Sequence, residues 1–167
     1  LPDSNDHYII VGGDGGQAYL FKNGPSQPYL LASAQQGQIF RAPLFGTVTL
    51  NKIKPTGTGD GAFVTYYLLD EDNPNNLYFP VNDTLYRTTQ STTVDANSWT
   101  RMSGVDNVAS GQIFSMASTK GSYTTNSMLL IGTSAGKIFR LKNPANADPT
   151  TQPDDITPST MASNSLV

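Results

Sequence analysis

Two stretches of this chain, 120 positions apart, read alike: IIVGGDGGQAYLFKN at 9–23 and LLIGTSAGKIFRLKN at 129–143. Each has a short apolar run (Ile9 to Val11; Leu129 to Ile131), a glycine-rich turn, and a second apolar run (Ala18 to Phe21; Ile138 to Leu141). Two such runs around a glycine-containing turn predict a β-hairpin. A third stretch, NLYFPVNDTLYRTT at 76–89, turns at Asn82 and Asp83, and its Leu85-Tyr86-Arg87 aligns with Ile138-Phe139-Arg140. Three hairpins of one kind confine the chain to a repeated architecture.

The flanks extend the pattern. AFVTYYLLD (62–70) and GQIFSMAS (111–118) precede the second and third hairpins as further strands, and PYLLAS (28–33) and SWTRMS (98–103) follow the first and second as outer strands. Each unit is then a four-stranded antiparallel meander. Apolar residues on both faces of the hairpin strands, as in Ile138, Phe139 and Leu141, predict sheets covered on both sides. Meanders stacked face to face around an axis form a β-propeller. The return strands begin near positions 17, 84 and 137, spacings of roughly 67 and 53 residues that are long for one blade. Residues 45–61 and 90–97 read as loop insertions. The units expected are 1–45, 46–104 and 105–142, followed by a Pro/Asp/Thr-rich linker or insertion at 143–160 and the start of a further strand at 161–167.

Composition agrees with an all-β reading. Only 37% of the 167 residues are hydrophobic and 14% charged, the balance being rich in turn formers, and no window carries apolar residues at helical spacing. The net charge is −3 with ten scattered Lys and Arg, which argues against the concentrated basic surface that nucleic acid requires. No apolar run reaches the length of a membrane-spanning helix. The absence of cysteine removes disulfides and thiolate chemistry together.

Motifs that carry chemistry elsewhere fail here on spacing. GTSAGKI (132–138) has three residues between its glycines and Ile138 where a phosphate-binding loop needs a hydroxyl. GTGDGA (57–62) precedes no helix. His7, the single histidine, lies in a polar lead-in where a triad base is not expected. DEDNPNN (70–76) has the oxygen density of a calcium loop without its spacing, and reads as a turn. Glycoside hydrolysis needs paired carboxylates. The candidates Asp14, Asp70, Glu71, Asp72, Asp83 and Asp95 all have turn or strand-end positions, leaving Asp60 alone without one. Arg87 and Arg140 hold equivalent hairpin positions, which points to a structural role, while Arg41 and Arg101 are the other arginines a sialidase-like site would need. Tyr66, Tyr67 and Trp99 are candidate ligand contacts, since aromatic rings stack on sugars. No cofactor or metal is expected.

NPNNLYFPVNDTLYRTT followed by DANSWTRMSG resembles a blade of the Asp-box (BNR-type) propellers of sialidases, xyloglucanases and sortilin-like domains. Thr93, Asp95, Asn97 and Trp99 approximate the box, with one residue deleted and Asn in place of Gly. The G-T-x-x-G-x-I-x-R hairpin is similar to propellers of large secreted proteins, especially surface proteins of Bacteroidetes. The resemblance, spanning residues 8–142, implies a propeller fold and an exported protein, extracellular or on the cell surface, with outer-membrane association. Asp83-Thr84-Leu85 resembles the O-glycosylation site of such exported proteins, making Thr84 a candidate modification site; Asn82 also begins an N-x-T sequon.

The expected function is a non-enzymatic scaffold or binding module for protein or glycan. The alternative is a segment of a glycoside hydrolase or sialidase-like propeller whose catalytic residues lie partly outside this chain. Propellers close with at least four blades. Three units therefore imply a piece of a larger propeller, its open blade faces covered by the remainder of a parent chain or by a larger assembly.

Overall fold

A computed structural model describes residues 11–22, 28–45, 49–106 and 110–161, and among these described residues twelve strands carry nearly all the regular structure. The first sheet contains β1 (Ala18–Phe21), β2 (Tyr29–Ala34), β3 (Gln38–Pro43) and β4 (Asn51–Lys52). The second contains β5 (Leu68–Leu69), β6 (Leu77–Val81), β7 (Thr84–Thr88) and β8 (Thr100–Arg101). The third contains β9 (Ile113–Ser118), β10 (Met128–Thr133), β11 (Ile138–Lys142) and β12 (Asp154–Asp155). In each sheet the strands lie side by side in chain order and pair antiparallel. Among the described residues the one helical segment, α1 (Ser103–Asp106), is a single turn after β8.

The second and third hairpins form where their turns predict them. Asn82 takes φ 57°, the left-handed conformation that asparagine tolerates better than most residues, and turns β6 into β7. Gly136, at φ 70°, closes the turn from β10 into β11, so the glycines of 129–143 belong to a hairpin.

The first unit differs from expectation. Ala18–Phe21 pairs with Tyr29–Ala34 rather than with an earlier strand, and Tyr29–Ala34 pairs on its other edge with Gln38–Pro43. PYLLAS is therefore half of the central hairpin and not an outer strand. Gln36 and Gly37, at φ 60° and 74°, make its turn. Ile9 and Ile10 lie outside the described residues, as do His7 and residues 162–167; Val11 joins no strand. The third strands now begin at Gln38, Thr84 and Ile138, spacings of 46 and 54 residues instead of 67 and 53.

Three further expectations change. The third sheet has its outer strand, Asp154–Asp155, inside the stretch read as a linker, and β4 lies inside the supposed insertion 45–61. Only Leu68–Leu69 of AFVTYYLLD joins a ladder, because the backbone and side chains of Thr65 and Tyr67 bond to the first sheet instead.

Two cores lie between the three sheets. Leu31, Ile39 and Ile53 from one face of the first sheet pack with Leu69, Leu77, Phe79 and Val94 of the second. Tyr78, Leu85 and Met102, on the opposite face of the second sheet, pack with Leu129, Ile131, Phe139 and Leu141 of the third. Neighbours along β6 thus alternate between cores, Leu77 and Phe79 to one and Tyr78 to the other, as a strand's two-residue period requires. Each such side chain contributes about 1.5–3 kcal/mol by leaving water.

Polar ties repeat across the same two boundaries. Arg41 Nη1 on β3 donates to the Thr92 carbonyl in the loop between β7 and β8. Arg87 Nη1 on β7 donates to the carbonyls of Pro144 (2.8 Å) and Ala147 (2.9 Å) in the loop between β11 and β12. Both loops begin with a helix-like turn, Val94 N donating to Gln90 O and Ala147 N to Asn143 O. Val94 and Ala147 are buried in the two cores.

Candidate functional site

The first strands of the three sheets border one concave surface. One depression of about 450 Å³ is lined by residues 14–17 and 63–66. A second, of about 360 Å³, brings together Tyr19 from β1, Tyr66, Tyr67 and Leu68 at β5, and Phe114 to Met116 on β9. They meet at Gln17 and Tyr66.

Gln17 organises the wall. Its amide nitrogen donates to the Tyr19 hydroxyl (2.8 Å), and its side-chain oxygen accepts from the Tyr67 backbone N–H (3.1 Å). Its carbonyl accepts from Ser33 N (2.9 Å) and from the Tyr67 hydroxyl (3.1 Å). Ser33 Oγ donates to Thr65 O (3.0 Å), and Gly37 N donates to Thr65 Oγ1 (2.8 Å). These bonds hold 63–67 extended against the first sheet, with Thr65 and Tyr67 turned inward and Val64 and Tyr66 outward.

The sequence candidates separate on that alternation. Tyr66 is 45% exposed in the groove, beside Phe63 at 61%, whereas Tyr67 is 2% exposed and packs edge-on against Tyr19 at 5.3 Å between ring centroids. Burial, then the neighbouring Tyr19, pushes the Tyr67 phenol far above the ordinary tyrosine range. Burial, then the Glu71 charge, raises Tyr19 as well. Both hydroxyls are thus fixed neutral donors or acceptors, and of the two neighbouring tyrosines Tyr66 is the one whose ring is exposed. Trp99 lies away from the groove: its indole N–H donates to Ile53 O (2.7 Å), and its ring packs 5.7 Å from Phe79. Thr84 opens β7, half-buried, its hydroxyl 3.4 Å from Asp83 Oδ1. Asn82, the sequon residue, donates its side-chain amide to Asp60 O (3.1 Å).

The carboxylates are engaged locally. Asp70 Oδ1 accepts from the backbone of Asp72 and Asn73, which is the turn expected of DEDNPNN. Asp95 accepts from Asn97 N (2.7 Å), Asp106 pairs with Arg101 (2.7 Å), and Glu71 pairs with Lys120 (3.1 Å). Asp60 stands 4.0 Å from Lys54 Nζ. Among the described residues lining the two depressions, Asp14 is the one carboxylate. Arg87 is buried on backbone carbonyls, and burial, its largest influence, lowers its pKa; Arg140 is held on its own sheet by Asp154 (2.8 Å). No three His, Asp or Glu side chains converge on a common metal position among the described residues.

Gln17, Phe63 and Phe114 escaped the sequence reading. Gln17 acts on a segment 50 positions away, so nothing local marks it; Phe63 sits in a run that reads as an ordinary strand. Comparison with family models, with curated proteins and with solved structures finds no match for this chain.

Proposed function

We propose that the chain is a non-enzymatic scaffold and binding module, part of a β-propeller in a large secreted or cell-surface protein, whose groove along the first strands binds glycan or protein. The observation that carries this reading is the aromatic surface of that groove: Phe63 and Tyr66 are exposed on a backbone pinned by Gln17, Ser33 and Thr65. Ordering a flexible aromatic loop on binding costs entropy, and a fixed one avoids much of that cost. Three meanders that share cores through both faces of the middle sheet support the propeller. The remainder of a parent chain, or a larger assembly, covers the outer faces. Export to the cell exterior, with outer-membrane association, completes the proposal.

A specific observation favours the second reading, a segment of a glycoside hydrolase or sialidase-like propeller. Asp14 borders the groove, and one more carboxylate at roughly 5–10 Å, supplied from outside this chain, would complete a hydrolytic pair. Titrating neutral and sialylated oligosaccharides into the chain, followed by heteronuclear NMR, separates the readings. Saturable shifts at the groove that vanish in Tyr66→Ala, with an unchanged melting temperature, are the expected result. Tyr67→Phe should retain binding while losing about 1 kcal/mol of stability with its hydrogen bond. Release of free sugar by a longer protein that supplies the second carboxylate, stopping in Asp14→Asn, refutes the non-enzymatic reading, and no shift with any oligosaccharide removes the glycan.

A further inference from the structure

The second sheet receives the first on one face and offers the third its other face, and the positions that do the offering recur in all three sheets. Leu31, Ile39, Arg41 and Ile53 of the first sheet correspond by strand register to Tyr78, Leu85, Arg87 and Met102 of the second. In the third sheet the same positions hold Leu130, Ile138, Arg140 and Ile156. One hydrogen bond marks the equivalence: the N–H of Ile53, Met102 and Ile156 donates to the carbonyl of Ile39, Leu85 and Ile138 at 2.9, 2.8 and 2.9 Å. In the first two sheets these apolar side chains are buried beneath the next sheet. In the third, Leu130 is 39% and Ile156 36% exposed.

The arginine shows what is missing. Arg41 and Arg87 each direct Nη1 to carbonyls in the loop of the following sheet. Arg140 uses Nε and Nη2 on Asp154, and among the described residues its Nη1 has no partner. Asp154 stands across from Arg140 where the covered sheets carry Asn51 and Thr100, and it anchors the guanidinium through the two nitrogens the clamp does not use.

We propose that this face of the third sheet is a socket for a fourth four-stranded sheet, whose loop between third and fourth strands brings backbone carbonyls to Arg140. The inference rests on the stacked-sheet reading of the fold. Its occupant is a sheet of the second or third kind, with an apolar strand like Leu77 to Val81 and an eleven-residue loop like 89–99 or 143–153. A second copy of this chain does not meet the requirement, because only seven positions separate Pro43 at the end of β3 from Asn51 at the start of β4 in its first sheet.

The test extends the chain from Thr157, at the end of its third sheet. A tandem protein is made in which residues 104–161 follow Thr157 directly, so that a copy of the third sheet is placed to dock on the original one. The chain has no cysteine, so Leu130→Cys, or separately Ile156→Cys, supplies a unique thiol on the face. Labelling by a maleimide should be rapid in the 167-residue chain and slowed about 100-fold or more in the tandem, as burial of a core position requires. Arg140→Gln should lower the tandem's melting temperature by about 4–8 °C and leave the shorter chain nearly unchanged.

Undiminished labelling beside a folded added sheet overturns the proposal. So does an added sheet that stays protease-sensitive, since the socket is said to complete its core. Protection already present in the shorter chain, with a dimer by sedimentation, assigns the face to a second copy and overturns the occupant. Small-angle scattering keeps the propeller reading separate: a docked fourth sheet in an uncurved array refutes the propeller and leaves the socket standing.

Discussion

Replacing Arg87 by methionine isolates the tie between the second and third sheets, because methionine keeps the length of the buried stem and removes the guanidinium. Arg87 is buried, and the two N–H groups of Nη1 reach the carbonyls of Pro144 and Ala147 at 2.8 and 2.9 Å. Hydrogen bonds to a charged group contribute roughly 1.5–3 kcal/mol each. The variant recovers part of that sum, since burial of the cation is itself unfavourable and lowers the Arg87 pKa. The carbonyls left behind lose their donor in a desolvated place. A net loss of about 2–4 kcal/mol follows. Urea titration followed by the fluorescence of the single tryptophan, Trp99, reads it directly. With a slope near 2 kcal/mol per molar, the midpoint should fall by about 1–2 M with the slope unchanged. Arg140→Met is the internal control: its ion pair with Asp154 is partly exposed, and removing it should cost less than about 1 kcal/mol. Equal midpoints for Arg87→Met and the parent chain, or equal losses for the two variants, refute the clamp.

Two further predictions concern turns. At Asn82, where φ is 57°, Asn82→Ala should cost about 1–2 kcal/mol by thermal melting, and Asn82→Gly should stay closer to the parent chain because glycine accepts that conformation freely. The side chain and backbone of Thr157, and then Lys137, hold the Asp155 carboxyl at about 2, below its ordinary 3.8. A depressed pKa stabilises the fold fully above the ordinary value, and that contribution is lost as pH falls from about 4 through 2. Asp155→Asn should therefore flatten the decline of melting temperature over that window, and a decline parallel to the parent's would count against the assignment.

Where the turn residues are distinctive, the sequence is legible. Asn82-Asp83 and Gly136 mark two central hairpins correctly, because each demands a backbone conformation few residues accept. The first hairpin was hidden by an excess of the same signal. Gly12 to Gly16 drew the alignment, while the real match, LLASAQQGQIFRA against LLIGTSAGKIFRL, turns on the single Gly37. Two-residue strands show no alternation, and β12 is two exposed aspartates whose place is set by Arg140 and Lys137 across the ladder. The groove was half legible for a similar reason. Tyr66-Tyr67 in an extended run must place one ring on each side, but which one faces inward depends on Gln17 and Ser33, distant in the chain.

The arginine ties also impose an order in time. Arg41 bonds 51 positions ahead of itself, and Arg87 bonds 57 and 60 positions ahead. On a ribosome adding about 5–20 residues per second, each sheet emerges several seconds before the carbonyls that fasten it. Until then its forward apolar face stays open, so a pause in translation between the sheets leaves a nascent chain exposed to wrong partners. Synonymous codon changes that slow synthesis across 107–145 should therefore lower soluble yield without altering a single residue of the product.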